Sequence, residues 1–427
     1  MTRPTPHILA VLILLVSSIP AAAQVTPGET ITRSNVEKIR DLVSPGVFFA
    51  VENGMDMEIV EHESIPQPVV YKEATERYSA QVTLAENNNL ENWVAGRPFP
   101  TIDNADPKAA VKIMWNFART AYFTDDLNVH LPDADTGAFF VDHEGNRKYQ
   151  IERHFIVDWS RRIRYFGRTR NEPIPQFDEN PDETFEKAAF FPLIEPFDLK
   201  GVGTVSYRYL DAARQDDTWL YTPVIRRVRR LSSAQRSDAL FGQDIDLDSF
   251  GGYAGQTQWF DWKFLGMKPM LASFHGVNLP PKVCERDGGV TYCENWEMRP
   301  EMYIVEGTPK VSNYAYSKRV IFMDKEIFLI PYTDMYDKNE ELWKTVILNT
   351  RYSNRPNPNA DLQYDDARLF VYGFTVLDIQ LKHGTRAAIP GMQFPNEASW
   401  YVDIGLDHDL SADEDWFTVA SLIRAGR

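Results

Sequence analysis

Alternating hydrophobic and polar residues mark the second half of the chain. In GTVSYRYL, Val205, Tyr207 and Tyr209 share one face of a predicted strand, and polar residues share the other. Further strands are predicted in TWLYTPVIRRVRRL, EMYIVEGTP, YSKRVIFMDKEIFLIPYTDMYDKNEELWKTVILNTRY and ARLFVYGFTVLDIQL. The third of these segments divides at turn signals into a meander of three strands. Consecutive strands joined by short turns predict an antiparallel sheet and not a parallel α/β core.

Hydrophobic residues at helical spacing occur mainly in the first half of the chain. The segments TRSNVEKIRDLVS, VVYKEATERYSAQVTL and DPKAAVKIMWNFARTAYF each predict a helix. In the last of these, Asp106 is the expected N-cap and Pro107 the first helical residue. RKYQIERHFIVDWSRRIRYFGRT is more typical of a strand. The tail SADEDWFTVASLIRAG predicts a short helix with a capping box from Ser411 to Glu414.

One predicted strand is hydrophobic on both faces, because nearly every residue from Leu369 to Leu377 is apolar. An antiparallel sheet usually keeps one face in water, so this strand needs cover on both sides. Helices on one side and a dry interior on the other would supply that cover. A helix packed into the concavity, with no room for a ligand, would do so equally well. The predicted fold class is α+β with a large curved antiparallel sheet.

The N-terminus has the features of a secretory signal peptide. Arg3 supplies a positive charge, Ile8 to Ile19 form an apolar segment, and Ala21 to Ala23 offer a small-residue cleavage site. The apolar segment is shorter than an ordinary membrane-spanning helix, so an uncleaved anchor is the less favoured alternative. We therefore expect residues 1–23 to be removed after Ala23 and the protein to be exported to the periplasm.

The exported chain, residues 24–427, is long enough for one large domain or two ordinary ones. The proline- and acid-rich stretch NEPIPQFDENPDETFEK separates a helical and mixed part, residues 24–187, from a strand-rich part, residues 188–427. Because the family resemblance described below spans both parts, we expect a single domain.

The chain is strongly acidic, with 61 Asp and Glu residues against 45 Lys and Arg residues and a formal net charge of −16. A field of this sign repels nucleic acid and anionic lipid headgroups at long range, so nucleic acid is not an expected partner. The only cysteines, Cys284 and Cys293, flank a turn signal at Asp287-Gly288-Gly289. In an oxidising compartment we expect them to form one local disulfide.

Four arginines lie within the segment TPVIRRVRRLSS. If the strand is continuous, Arg227 and Arg229 share one face, and Arg226 and Arg230 share the other. The structural interpretation pairs them across strands with nearby acids. These acids include Asp216, Asp217, Asp244 and Asp246. The functional interpretation is a cationic rim that binds a lipid phosphate or carboxylate, which arginine does in bidentate fashion.

Signatures of metal binding and catalysis are weak. Asp244, Asp246 and Asp248 resemble the start of an EF-hand loop, but its sixth position is Ser249 and its twelfth is Gly255, so no metal is expected. The sequence has no G-x-S-x-G elbow, H-E-x-x-H, P-loop or G-x-G-x-x-G. We expect no cofactor, no catalytic residue and no enzymatic activity, although a glycosidase-type carboxylate pair is left open.

The segment WLYTPVIRRVRRLSSAQRSDALFGQDIDLDSFGGYAG resembles the central signature of a large family of exported bacterial proteins without a settled function. That family is similar to the outer-membrane lipoprotein-sorting proteins. The resemblance continues in VAGRPFPTIDNADPKAAVKIMWN and SKRVIFMDKEIFLIPYTDMYDKNEELWKT. It implies a half-open β-barrel with helices covering the concave face, and a setting beside membrane transporters that export lipids or hydrophobic compounds.

The predicted function is binding and carriage of a hydrophobic or amphiphilic molecule through the periplasm, with envelope transport machinery and transient contact with a membrane surface. The cargo would be a lipid, a lipoprotein acyl chain or a hydrocarbon. One alternative is a non-enzymatic adaptor subunit of an envelope transport complex that holds no ligand. Another is a glycan-binding or hydrolytic periplasmic protein.

Two groups of residues are the site candidates. The apolar pocket candidates are Trp219, Tyr221, Ile225, Phe328, Ile330, Trp343, Phe370, Tyr372 and Phe374. The headgroup or docking candidates are Arg226, Arg227, Arg229 and Arg230.

Overall fold

The computed structural model describes residues 25–426, except the side chains of residues 233 and 234. The predicted signal peptide therefore lies outside the described residues. The α-helices are α1 (Pro45–Glu52), α2 (Val69–Tyr78), α3 (Ala109–Ala118) and α4 (Val419–Ala425). The strands are β1 (Thr30–Ile31), β2 (Met57–Val60), β3 (Thr83–Leu84), β4 (Leu90–Glu91), β5 (Asp126–His130), β6 (Asp133–Val141), β7 (Arg147–Arg164), β8 (Thr184–Glu195), β9 (Gly203–Tyr209), β10 (Asp217–Thr222), β11 (Arg227–Arg230), β12 (Phe260–Ala272), β13 (Asn295–Pro309), β14 (Lys318–Asp324), β15 (Tyr332–Tyr336), β16 (Leu342–Ser353), β17 (Arg368–Asp378), β18 (His383–Ala388) and β19 (Trp400–Val402).

Seventeen strands form one large sheet, and β3 and β4 form a separate pair. The sheet runs in antiparallel steps from β12 through β18, continues from β18 to β6, and then runs from β6 through β11. Within residues 25–426, β11 and β12 each pair with one neighbour, so the sheet is open at both ends. This arrangement confirms the predicted α+β fold with a large antiparallel sheet.

Strand predictions are confirmed where turn signals are strong. The predicted meander is β14, β15 and β16, paired in sequence order. GTVSYRYL is β9, in which Val205 and Tyr209 are buried. RKYQIERHFIVDWSRRIRYFGRT contains β7, which at 18 residues is long enough to pair with β5, β6 and β8.

The segment predicted as one arginine-bearing strand forms two strands, so that prediction is wrong. Proline fixes φ and has no N–H for the ladder, and here Pro223 opens a short 3₁₀ turn, Pro223–Ile225. Arg226 follows in the left-handed region with φ of 48°. The chain then reverses, and β11 pairs with β10. Arg226 therefore lies in a turn, whereas Arg227 and Arg229 share a strand face as predicted.

Two of the predicted helices form, but they begin and end at other residues than predicted. VVYKEATERYSAQVTL contains α2, and DPKAAVKIMWNFARTAYF contains α3. The N-cap of α3 is Lys108, so Asp106 and Pro107 precede the helix. The Asp106 carboxylate accepts a hydrogen bond from the Lys108 backbone N–H, which closes a turn before the helix begins. None of the helices in residues 25–426 is long and hydrophobic enough to span a bilayer.

The two terminal helix predictions are less accurate. TRSNVEKIRDLVS forms only the 3₁₀ turn Val36–Ile39. The nearest α-helix, α1, begins later because the Ser44 hydroxyl caps it and Pro45 occupies its first position. In the tail, α4 begins later than predicted, because Thr418 has an extended backbone and interrupts the helix. Thr418, and not Ser411, caps α4.

Both faces of β17 are covered by hydrophobic side chains. Leu377 belongs to a cluster that includes Val47 of α1. Val376 belongs to a second cluster that includes Ile113 of α3. The cover on both sides agrees with the two-faced composition of this strand.

The N-terminal and C-terminal strands meet where β6 pairs with β18. The Thr136 and Thr385 hydroxyls are 2.8 Å apart, and Arg386 Nη2 donates to Asp135 at 2.9 Å. His154 Nδ1 lies 2.8 Å from the same Asp135 carboxylate. At the start of β18, His383 Nδ1 lies 2.9 Å from the Asp244 carboxylate. Polar side chains thus hold this ladder together from both strands.

We predict that the contribution of His383 to stability depends on pH. The hydrogen bond to the Asp244 carboxylate raises the pKa of His383. A raised histidine pKa stabilises the folded state below the unfolded value of about 6.5, and this stability is lost as pH rises through the folded pKa. In urea unfolding, the advantage of the wild type over His383→Asn should be largest at acidic pH and should shrink at alkaline pH.

His143, whose side chain is 91% exposed, provides the control for this experiment. His143→Asn should follow the wild-type stability curve at every pH. A constant difference between wild type and His383→Asn across the pH range would show that protonation of His383 contributes nothing.

Candidate binding cleft beside the disulfide loop

A cleft of about 290 Å³ lies between α1, the end of the β6–β7 hairpin and the loop closed by the disulfide. Its hydrophobic lining consists of Phe49, Ala50, Phe139, Phe140, Val141, Val290 and Leu377. Its polar lining consists of Asn53, Arg147, Asp287, Thr291 and Lys382. A mostly apolar concavity with a few polar groups at its margin is the usual form of a site for a small hydrophobic ligand.

Local sequence rules explain two walls of the cleft. The Ser44 cap and Pro45 start α1, which brings Phe49 to 6.5 Å from Phe139, measured between ring centroids. On the hairpin, the Asp142 carboxylate accepts hydrogen bonds from the backbone N–H groups of Glu144 and Asn146. This tight turn lets hydrophobic residues continue to the very end of β6, where they meet the cleft.

The third wall is the loop between the two cysteines, which are bonded to each other as predicted. The Asp287 carboxylate accepts hydrogen bonds from the backbone N–H groups of Gly289, Val290 and Thr291 at 2.7, 3.0 and 3.1 Å. Burial raises the pKa of Asp287 to about 6 in spite of these bonds. The carboxylate therefore organises the loop and holds Val290 at the cleft.

Two cations lie at the cleft. The Lys382 ammonium is 4.6 Å from the centroid of the Phe49 ring. Arg147 donates a long hydrogen bond, 3.5 Å, to the Glu52 carbonyl oxygen, and burial lowers the pKa of Arg147. In the part of the chain that the structure describes, neither cation forms an ion pair with a carboxylate. Unpaired cations beside an apolar cleft suit a ligand with a hydrophobic chain and an anionic head.

The nine predicted pocket residues lie in several separate clusters. Four belong to the cluster that packs on α3: Phe328, Ile330, Trp343 and Phe374. Trp219 and Tyr221 pack near α4, and Phe370 packs near Trp400. Tyr372 is buried, and Ile225 is 45% exposed. None of the nine lines the cleft described above, and their contact with a ligand stays a prediction.

The four arginines differ in their surroundings. Arg230 forms an ion pair with Asp217 of the adjacent strand, as the structural interpretation predicts. Arg226, Arg227 and Arg229 are exposed and form no ion pair within residues 25–426. The other acids considered bind elsewhere: Asp216 contacts Arg208 and Arg236, Asp244 contacts His383, and Asp246 contacts Tyr316. A role for the arginines as a headgroup or docking surface stays a prediction.

The three alternating aspartates point to separate partners. Asp248 accepts hydrogen bonds from Arg236 Nε at 2.6 Å and from the Tyr314 hydroxyl at 2.8 Å. Asp246 accepts one from the Ser249 hydroxyl at 2.8 Å. Among residues 25–426, no group of three or more His, Cys, Asp or Glu residues is arranged to hold a metal ion.

Sequence reasoning missed the residues of the cleft. Phe139, Phe140 and Val141 form an apolar run that stops abruptly at the turn DHEGN, and a cation follows at Arg147. A hydrophobic run that continues into a turn leaves side chains at an exposed strand end, which is a usable signal. Val290 and Lys382 carried no comparable local signal, because long-range packing brings them to the hairpin.

Residues 30–420 match a family model described as "Protein of unknown function (DUF1329)". This match covers most of the chain. The chain belongs to the DUF1329 family. The assignment confirms the resemblance inferred from the sequence segments quoted above. None of the curated proteins compared with this DUF1329 chain matches it.

Several solved structures are similar to this DUF1329 chain. A putative outer membrane lipoprotein-sorting protein domain from Vibrio parahaemolyticus is 15% identical, with TM-score 0.43 over 70% of this chain and 92% of that one. A DUF1329 family protein from Desulfovibrio piger is 16% identical, with TM-score 0.42 and the same coverage. A LolA superfamily protein from Nitrosomonas europaea is 14% identical, with TM-score 0.31 over 62% and 84%.

The disulfide should stabilise the protein through the loop it closes. The bond joins residues separated by nine positions, and a loop of this size contributes about 2–3 kcal/mol in the chain-entropy model. We expect the double variant Cys284→Ala/Cys293→Ala to lose that free energy of unfolding in urea denaturation. Reduction of the wild type should produce a similar loss. Equal stability of the wild type and the double variant would contradict this prediction.

Proposed function

We propose that the protein binds one hydrophobic chain of an anionic amphiphile in the cleft and carries it through the periplasm. The single observation behind this proposal is the combination of an apolar cleft of about 290 Å³ with Arg147 and Lys382, which have no carboxylate partner in residues 25–426. The hydrophobic chain would contact Phe49, Phe139 and Val290. The anionic head would lie beside the two cations.

The size of the cleft limits the cargo. Small-molecule sites usually measure about 300–1,000 Å³, so this cleft suits one short chain and not several. Each CH₂ group removed from water contributes about 0.8 kcal/mol, which makes chain length the main determinant of affinity. A fatty acid or a similar single-chain amphiphile fits these limits better than a lipoprotein with several acyl chains.

Predicted export and family membership support a carrier that works with envelope transport machinery. The N-terminal sequence has the features of a signal peptide, and the sequence segments typical of the family are similar to outer-membrane lipoprotein-sorting proteins. A periplasmic carrier needs no energy source of its own, because affinity differences between donor and acceptor set the direction of transfer.

Titration calorimetry with fatty acids of increasing length tests the apolar part of the site. Extension from octanoate to decanoate should strengthen binding about 15-fold, because two more CH₂ groups leave water. The gain should stop once the chain is longer than the cleft. Val141→Trp, a change at a lining residue that is 58% exposed, should block the cleft and abolish binding.

The charged part of the site is tested with two ligands of equal chain length and opposite charge. Lys382→Ala and Arg147→Ala should each weaken decanoate binding about fivefold and leave decyltrimethylammonium binding no weaker. Lys148→Ala is the matched control, because Lys148 follows Arg147 directly but does not line the cleft. Decanoate binding that is unchanged in Val141→Trp and in both charge variants would place the ligand elsewhere or exclude this function.

A ligand-free adaptor is a second candidate, and the packing of the core favours it. Five of the nine residues predicted to line a pocket are buried among other side chains of the protein: Tyr221, Phe328, Ile330, Phe370 and Tyr372. Native mass spectrometry of the purified protein, with lipid extraction, separates the candidates. A co-purifying amphiphile supports the carrier. An empty protein that captures an envelope transporter supports the adaptor.

A further inference from the structure

Two turns at one end of the sheet expose large hydrophobic side chains. Phe197, in the turn between β8 and β9, is 90% exposed, and Val224, in the turn between β10 and β11, is 81% exposed. The turns are neighbours, because a Cβ atom on Gly201 would lie 3.0 Å from Pro223 Cγ. Antiparallel order places both turns at the same end, since β8, β9, β10 and β11 pair in sequence.

Basic residues flank these two turns. Lys200 follows Phe197, and Arg226 and Arg227 follow Val224; all three are exposed. No ion pair to any of the three is present among the described residues 25–426. Of the two acids at the first turn, Asp198 is paired with Arg153 at 2.5 Å, and Glu195, the last residue of β8, is exposed and forms no ion pair within residues 25–426. The end of the sheet therefore carries free positive charge beside exposed hydrophobic groups, in a chain whose net charge is −16.

We propose that these two turns, with Phe197, Lys200, Val224, Arg226 and Arg227, form a docking surface for an anionic phospholipid bilayer. Phe197 and Val224 enter the boundary between headgroups and acyl chains. The basic side chains keep their charged ends at the level of the lipid phosphates, as Lys and Arg do at membrane interfaces. Juxtamembrane basic residues are attracted to anionic lipid over short distances.

The geometry favours a bilayer over an acidic protein partner. Phe197 and Val224 are single side chains on separate turns, whereas a stable protein interface buries a broad, complementary surface. Protruding apolar residues flanked by cations suit a soft headgroup layer that closes around them. The overall acidity of the chain does not prevent contact, because charges are screened beyond about 8 Å at physiological salt.

This surface does not depend on the cleft, and its residues are distinct from the cleft lining. A carrier that docks on a bilayer brings its site to the surface where amphiphiles enter and leave. An adaptor without a ligand would use the same contact to remain near a membrane complex. The docking proposal can therefore be tested without knowledge of the cargo.

Co-sedimentation with lipid vesicles is the first test. The protein should bind vesicles that contain about 30% phosphatidylglycerol much more tightly than vesicles of phosphatidylcholine alone. Arg226→Ala/Arg227→Ala should weaken binding about 30-fold, or about fivefold for each arginine. Phe197→Ser should weaken it about tenfold. The matched control is Val69→Ser/Arg77→Ala on α2, where Val69 is 70% exposed, and this variant should bind as the wild type does.

A site-specific probe gives an independent readout. Both native cysteines are joined in the disulfide, so a cysteine introduced by Phe197→Cys or Val224→Cys can be labelled with an environment-sensitive fluorophore. On addition of anionic vesicles, the emission should shift to the blue at both positions and remain unchanged at Val69→Cys.

Four results would overturn the proposal. The first is equal binding to anionic and zwitterionic vesicles, and the second is wild-type binding by Arg226→Ala/Arg227→Ala. The third is vesicle binding without a blue shift in the emission of the probe at position 197. Capture of an acidic protein, with no binding to protein-free anionic vesicles, would assign the surface to a protein partner and would also overturn it.

Discussion

The ladder between β6 and β18 is the pairing on which the sheet depends, because it joins strands from opposite ends of the chain. Thr136 and Thr385 meet across 249 positions of sequence. Arg386 and His154 converge on Asp135 beside them. A shift of one residue would move every one of these side chains to the other face and leave buried polar groups without partners. The polar contacts therefore specify this register.

Joining the strands in this way produces a sheet whose faces are packed with the chain's own residues. Clusters that include α1 and α3 cover the two sides of β17. The cleft lies at the edge of this packed region. There α1, the β6–β7 hairpin and the disulfide loop meet and leave a gap between them. A binding function at this edge is compatible with the packing of the two clusters on β17.

Ion pairing separates the cations of this acidic chain into those held by carboxylates and those without a carboxylate partner among residues 25–426. Arg299, which is fully buried, contacts Asp324 at 2.7 Å, and Arg236 contacts Asp248 at 2.6 Å. Such buried cations need their carboxylates, because an unpaired buried charge is costly. The cations at the cleft and on the two exposed turns have no such partner among residues 25–426. They are therefore available to an anionic ligand or lipid surface, and both proposals rest on them.

The sequence by itself determined the fold class, most strands, two central helices and the cysteine pair, because strand period, turn residues and cysteine spacing act over a few positions. It did not determine which hydrophobic residues border empty space. Phe370 and Phe139 are both aromatic strand residues, yet only Phe139 lines the cleft. Tertiary structure alone decided this, because a cavity arises where distant segments pack imperfectly, and no local pattern records what α1 and the disulfide loop leave unfilled.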